Sequence, residues 1–236
     1  KHILPHFPED VTEVCSPFLG GGSVELALAE KGVWVYGYDT FEPLIWFWRA
    51  LLGNPDALAK EADSLRKHKD YYYGYRGLPK EDFNLIKEEL RNEKEYSLQN
   101  AAKFYALNRS SFSGATLSGG WSKRASYERF TDSSITRIRE FSEPKLYVAA
   151  QHFKHSIPAH PKTFLYLDPP YLLGKDRENL YGDAGNKHKG FDHAGLVNIL
   201  KERDNWILSY NNCPEILKLY EGYDIIYPDW KYGMSS

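Results

Sequence analysis

Asp168-Pro169-Pro170-Tyr171 places an acid, two rigid rings and an aromatic side chain directly behind Thr163 to Leu167, an apolar run that reads as a buried parallel strand. Proline has no N–H and fixes its own φ, so the loop is stiff and the Pro169 carbonyl has no helical partner. At the carboxyl end of a strand in an open α/β sheet, such a loop faces the crevice where ligands bind. The Asp168 carboxylate and the Pro169 carbonyl can then accept both hydrogens of an amino group, while the Tyr171 ring stacks on a planar base.

A second segment with chemistry in it is Ser16-Pro17-Phe18-Leu19-Gly20-Gly21-Gly22-Ser23. Glycines let the backbone approach a ligand closely, and the helix expected to start here offers unpaired N–H groups. Further on, Asp39 closes the next apolar run, where an acid can hold both hydroxyls of a ribose. Together they indicate a nucleoside-containing cofactor, either a dinucleotide or S-adenosylmethionine. The third segment is Asn108-Arg109-Ser110-Ser111-Phe112-Ser113-Gly114 with Gly119-Gly120-Trp121-Ser122-Lys123-Arg124. Its basic and amide side chains suit phosphates and base edges, and its aromatics suit wedging or stacking. A solvated basic loop is the plainer alternative.

The elements that must position these residues alternate as an α/β protein does. Strands are expected over Val11 to Ser16, Val33 to Tyr38, Lys145 to Ala150, Thr163 to Leu167, Trp206 to Tyr210 and Tyr223 to Tyr227. Helices are expected at Gly22 to Glu30, Phe41 to Leu52, 193–202 and 214–220. The alternation breaks after Gly53-Asn54-Pro55, where charged helical segments at about 55–69, 80–92 and 97–107 flank the aromatic stretch Tyr71 to Arg76. Asn108 to Phe130 has no helical period and suits a loop or an irregular hairpin. Six strands with intervening helices make a doubly wound sheet. The expected division is 1–53 and 145–236 as two halves of one α/β domain, with 54–144 as a mainly helical insertion.

Bulk properties narrow the function. A chain of 236 residues with 42% hydrophobic content is long enough for one core plus an insertion. No run approaches the roughly 18 apolar residues of a membrane span, and Lys1 to Pro5 lacks the apolar heart of an export signal. The missing initiator Met leads us to expect residues upstream. Cys15 and Cys213 are too far apart in sequence for a metal-binding spacing, so no metal is expected, and reduced thiols are the default. The net charge of −2 does not announce a nucleic-acid binder, but Lys103 to Arg139 holds seven bases against two acids.

Phe18-x-Gly20-x-Gly22, Asp39, Asn108-Arg109, Asp168-Pro169-Pro170-Tyr171 and Leu208-Ser209-Tyr210-Asn211-Asn212 occur in the order found in the Dam-like class of adenine-specific DNA methyltransferases, and the chain resembles that class over nearly its whole length. The resemblance implies a Rossmann-like methyltransferase fold with an inserted target-recognition domain. It also implies S-adenosyl-L-methionine as cofactor and methylation of the exocyclic amine of an adenine flipped out of double-stranded DNA. By the same likeness Phe18, Gly20, Gly22, Ser23, Asp39 and Phe153 hold the cofactor with Asp168, and Asp168, Pro169, Pro170 and Tyr171 carry catalysis. Asn108, Arg109, Phe112, Lys123 and Arg124 face DNA. The class has Asp before that Phe, where this chain has His152, and His152 is left out of the expected site. Leu172 to Gly190 is expected to close over the flipped base. The setting expected is the cytoplasm of a bacterial, phage or viral system, and a separately acting restriction endonuclease is a candidate partner. RNA or protein amides, cytosine amines, a nicotinamide dehydrogenase and a non-catalytic DNA-binding relative are the alternatives. Asp at 168 and the basic insertion favour DNA adenine over RNA or protein amides, and the cytosine class has Ser where Asp168 stands. A dehydrogenase leaves Asp168 to Tyr171 unexplained, and that intact motif weakens the non-catalytic reading.

Overall fold

The computed structural model describes residues 2–69, 76–172 and 190–228. Its centre is a five-stranded sheet ordered β5-β2-β1-β6-β7, formed by β1 (Glu13–Ser16), β2 (Trp34–Asp39), β5 (Leu146–Ala150), β6 (Phe164–Leu167) and β7 (Trp206–Leu208). Every neighbouring pair is parallel. The central strands are buried on both faces, which is why Val14-Cys15-Ser16 and Leu165-Tyr166-Leu167 read as unbroken low-polarity runs.

Side-chain alternation divides the strands between two cores. Val14, Val35, Val148 and Tyr166 meet α1 (Ser23–Ala29) and α2 (Glu42–Gly53) on one face. Cys15, Tyr38, Leu165 and Leu167 meet α8 (Phe153–Ala159), α9 (His193–Leu200) and α10 (Pro214–Leu219) on the other. Helices on both faces of a parallel sheet make this the Rossmann-like arrangement expected.

From β1 the chain moves outward through β2 to β5, and from β6 it moves the other way to β7. The order therefore reverses between β1 and β6. Carboxyl ends of strands at such a reversal leave a crevice, because the connections on either side go to opposite faces. The glycine-rich loop leaves β1 there and Asp168 follows β6 there.

Between β2 and β5 lie α3 (Pro55–Ser64), a short antiparallel pair β3 (Lys67–Lys69) and β4 (Arg76–Gly77), α4 (Lys80–Asn92), α5 (Leu98–Ser110), α6 (Lys123–Glu128) and α7 (Asp132–Arg139). Leu58, Phe83, Leu90, Phe104, Leu107 and Phe130 join the same core as α2. The helical layer is thus built onto the sheet's first face.

Three expectations are corrected. Tyr223 to Tyr227 forms no strand: Ile225, Ile226 and Tyr227 are exposed, and among the described residues this β-prone run pairs with no strand that would hold it extended. Asn108 to Phe130 is only in its middle the expected loop or irregular hairpin, where an antiparallel Ser111–Trp121 bridge closes it: α5 runs on to Ser110, and Lys123–Glu128 is helical, Ser122 capping α6 by accepting the Ala125 N–H at 3.2 Å. The helical region also holds the β3–β4 pair, and α7 starts at a Thr131–Ser134 capping box that was not anticipated. Tyr71 to Tyr75, nearly all of the expected closing loop and the tail beyond Pro228 lie outside the described residues. Among the described residues no helix is long and apolar enough to cross a membrane.

Candidate active site

The crevice at the sheet's reversal is a cavity of about 480 Å³. Phe18, Gly20, Gly22, Ser23, Asp39, Phe153, Asp168, Pro169, Pro170 and Tyr171 all contribute to its walls. One wall is the glycine loop. Gly20 and Gly22 adopt φ of +49° and +67°, a region that L side chains avoid. A Cβ on Gly22 would also lie 2.8 Å from the Trp48 ring, so this backbone turns where no side chain fits. Trp48 braces the turn from α2, its indole N–H donating to the Gly20 carbonyl at 3.1 Å.

Asp39 holds the loop from the other side. Its Oδ2 accepts the Gly20 N–H at 3.1 Å and its Oδ1 accepts the Phe41 N–H at 2.9 Å. The acid expected to bind a ribose is therefore first a clamp between the ends of β1 and β2.

The aromatic wall is Phe18, Phe153 and Phe191, with ring centroids 5.4–5.7 Å apart. Phe153 is buried by the second core and cannot swing away. His152 lines the cavity beside it and caps α8, its Nδ1 accepting the Lys154 N–H at 3.3 Å. A capping acceptor is thus kept at a position where the Dam-like class has Asp.

The fourth wall is Asp168 to Tyr171. Asp168 is reached by solvent through the cavity, while the surrounding protein crowds it. That desolvation raises its carboxyl above the ordinary aspartate range, and a hydrogen bond from Tyr171 opposes the rise. Tyr171 stacks on Tyr210 at 5.9 Å and 29°. Burial, first, and neighbouring Tyr220 and Cys213 push the Tyr210 hydroxyl well above its usual range. It therefore stays protonated, donates to the Pro170 carbonyl at 3.5 Å and pairs with His193 Nδ1. Asn211 grips the next residue with both ends of its amide: Oδ1 accepts the Leu172 N–H at 3.1 Å and Nδ2 donates to the Leu172 carbonyl at 2.9 Å.

Sequence reasoning missed Glu25, Phe191 and, by leaving it out, His152. Glu25 lies on a helix whose other side chains are mostly apolar, and a lone acid there was the available signal. It is 2% exposed and its Oε1 accepts the Ser16 hydroxyl at 2.5 Å. Burial pushes its carboxyl up from 4.5 to about 7, opposed by the Ser16 bond and reinforced by the charge of Asp168.

The five residues expected to face DNA lie apart from the cavity. Arg109 directs Nε and Nη2 at the Arg129 carbonyl, at 2.9 and 2.8 Å, so its fork is used inside the protein. Asn108 donates to the Gly114 carbonyl at 3.1 Å and accepts from Arg129 at 2.9 Å. Phe112 is 71% exposed at the tip of the loop they brace, and Lys123 and Arg124 stand exposed at the start of α6. Arg124 bonds Glu128 at 2.8 Å, one turn along the helix.

The cavity fits the expected cofactor on its own chemistry. The glycine turn leaves room for a ligand backbone, the phenylalanine wall suits a purine, and three carboxylates (Glu25, Asp39, Asp168) face inward with one imidazole and no Lys or Arg among the described lining residues. Such a wall suits a ligand with net positive charge, which S-adenosylmethionine carries at its sulfonium. A search of curated proteins finds no match. The family model of D12 class N6 adenine-specific DNA methyltransferase matches residues 1–234. With essentially the whole chain covered, and with the glycine turn and Asp168-Pro169-Pro170-Tyr171 sharing one cavity, this protein belongs to the D12 class N6 adenine-specific DNA methyltransferases, enzymes that methylate adenine in DNA with S-adenosylmethionine.

Proposed function

We propose that the cavity between the ends of β1 and β6 is where both cofactor and target base meet, with Phe18, Gly20, Gly22, Ser23, Asp39 and Phe153 on the cofactor and Asp168 to Tyr171 on a flipped adenine. The observation that carries this reading is the shared cavity itself, whose walls are the two segments at the sheet's reversal. When bound, the cofactor supplies an electrophilic methyl group on sulfur.

The protein's task is to make a poor nucleophile attack in line. Adenine's amino lone pair is delocalised into the ring, and attack requires it to localise. Asp168 and the Pro169 carbonyl accept the two amino hydrogens and so stabilise the positive charge that grows on nitrogen. The elevated affinity of Asp168 for a proton suits it to take the one the methylated amine must shed. Tyr171, backed by Tyr210, stacks on the extruded base and offsets part of the few kcal/mol that unstacking costs. Alignment of the two reactants supplies much of the remaining acceleration.

Residues 54–144 serve as the target-recognition insertion in this reading. Phe112 is the wedge that fills the gap a flipped base leaves, and Lys123 and Arg124 meet phosphates or guanine edges. Asn108 and Arg109 act by holding that loop in shape. A separately acting restriction endonuclease and a bacterial, phage or viral cytoplasm are the setting that fits such an enzyme.

The test is single-turnover transfer from tritiated cofactor to duplex DNA. Asp168→Ala should slow transfer about 100-fold or more while DNA affinity stays near wild type, because the acceptor acts in the transition state. Wild-type turnover in Asp168→Ala would overturn the site assignment.

A further inference from the structure

Glu25 is a buried acid that the reaction as described does not use. It projects from the first turns of α1 into the cavity wall, beneath the glycine loop. Ser16, at the end of β1, donates to its Oε1, and the Val24 and Glu25 N–H groups at the helix start also bond the carboxylate. The other carboxylates of the cavity have work already. Asp39 clamps Gly20 to Phe41, and Asp168 carries the Tyr171 bond. A buried carboxylate is costly to ionise unless a cation compensates it, and no Lys or Arg is among the described lining residues. The ligand of this cavity is itself the cation.

We propose that Glu25 is the counter-ion for the positively charged methionine end of S-adenosylmethionine, and that cofactor binding expels a proton from Glu25. The proposal rests on the reading of this cavity as the cofactor site. Two positive charges lie at that end of the cofactor, an α-ammonium and a sulfonium, and either meets the chemistry of the site. With the cavity empty, burial raises the Glu25 carboxyl to about 7, so part of it holds a proton near neutral pH. A cation against it favours the carboxylate, so the acid O–H breaks and its proton leaves to buffer as the ligand enters. The titratable groups facing the cavity with Glu25 are Asp39 from the end of β2, Tyr166, Asp168 and Tyr171 from β6 and the loop after it, and His152 from the start of α8. Ionised Asp168 makes charging Glu25 harder in the empty cavity and so adds to the proton store.

Calorimetric titration of cofactor into the wild-type chain at fixed pH, in buffers of different ionisation enthalpy, counts protons released on binding. Release of up to one proton per cofactor is expected at pH 6, falling away at higher pH as Glu25 empties beforehand. Glu25→Gln retains an acceptor for Ser16 and should abolish that release, with affinity reduced about tenfold at pH 8 and less at pH 6. Ser16→Ala removes a bond that favours the carboxylate and should move the release to higher pH, which decides the matter even if Glu25→Gln folds poorly. S-adenosylhomocysteine, which lacks the sulfonium charge, separates the two cations: persistence of the release assigns the ammonium and its loss the sulfonium. Normal binding with no proton released, or equal release from wild type and Glu25→Gln, overturns the proposal. A bulky plug at the cavity rim, Ser23→Phe, tests the underlying reading separately, since unchanged cofactor affinity there would place the cofactor elsewhere.

Discussion

Replacing Asp39 should damage the fold as well as the cofactor site, and the structure gives the size of each effect. Asp39→Ala deletes two hydrogen bonds from backbone N–H groups to a carboxylate, at 3.1 Å to Gly20 and 2.9 Å to Phe41. Bonds to a charged partner are worth about 1.5–3 kcal/mol each, and the Gly20 N–H, at the cavity wall, can find water once orphaned, whereas that of the buried Phe41 cannot as readily. A total loss of about 2–4 kcal/mol follows, which for a chain of this size is a drop of about 5–15 °C in Tm. Asp39→Asn should suffer nearly as much, because its amide offers one acceptor and turns an NH2 group towards a second donor. Thermal unfolding without cofactor measures this first effect alone. Calorimetric titration well below the melting range then measures the second, for which a loss of at least tenfold in affinity is expected from the missing ribose contact. If Asp39→Ala melts with the wild type, the clamp contributes nothing. If it melts lower but binds cofactor normally, Asp39 is a loop clamp only and the ribose is held elsewhere.

Gly22→Ala should lower stability by about 2 kcal/mol or more, since its φ of +67° is penalised and its Cβ would strike Trp48. Gly21→Ala, with open space around its Cβ, should melt as wild type, and equal melting of the two variants would refute the argument. In the insertion, Arg109→Ala should lower Tm by releasing the Arg129 carbonyl. Arg124→Ala should leave Tm unchanged and reduce the salt dependence of DNA binding by about one phosphate contact. The reverse pattern in melting and binding curves would mean that Arg109, and not Arg124, touches DNA.

Features that depend on the chain's own periodicity and stiffness were legible beforehand. Leu165-Tyr166-Leu167 had to be a doubly buried strand, and a Pro-Pro step after it could only be a rigid loop. Gly20 and Gly22 announced a turn that brings the backbone close to a ligand. What stayed hidden depends on partners remote in sequence. Arg109 looked like a reading head because its acceptor, a main-chain carbonyl 20 residues on, has no side-chain signature. Tyr223 to Tyr227 has the composition of a strand, yet strand formation requires an edge to pair with, which composition cannot reveal. Glu25 was passed over because an acid on a short helix is usually solvated, and only the packing of α1 over the end of β1 buries it against Ser16.

The two halves of the site are also joined by a route that no single motif encodes. From Phe18 at the glycine loop, ring contacts run to Phe153 at 5.7 Å, to Phe191 at 5.4 Å, to His193 at 4.9 Å, to Tyr210 at 5.8 Å and on to Tyr171 at 5.9 Å. These rings come from the ends of β1, β6 and β7 and from the starts of α8 and α9, and most border the second core. Methyl transfer requires donor carbon, sulfur and acceptor nitrogen to be nearly collinear, and misplacement by an ångström can cost about 100-fold in rate. Two separate loops, each with its own motion, would hold that alignment poorly. Side chains packed ring to ring deform little, so in the proposed reading the aromatic wall on the cofactor side and the tyrosine on the base side are built as one surface. The physical reason for placing both motifs at the sheet's reversal is then mechanical. It is where β1 and β6 are hydrogen-bonded neighbours, and where one continuous core can fix both reactants against each other.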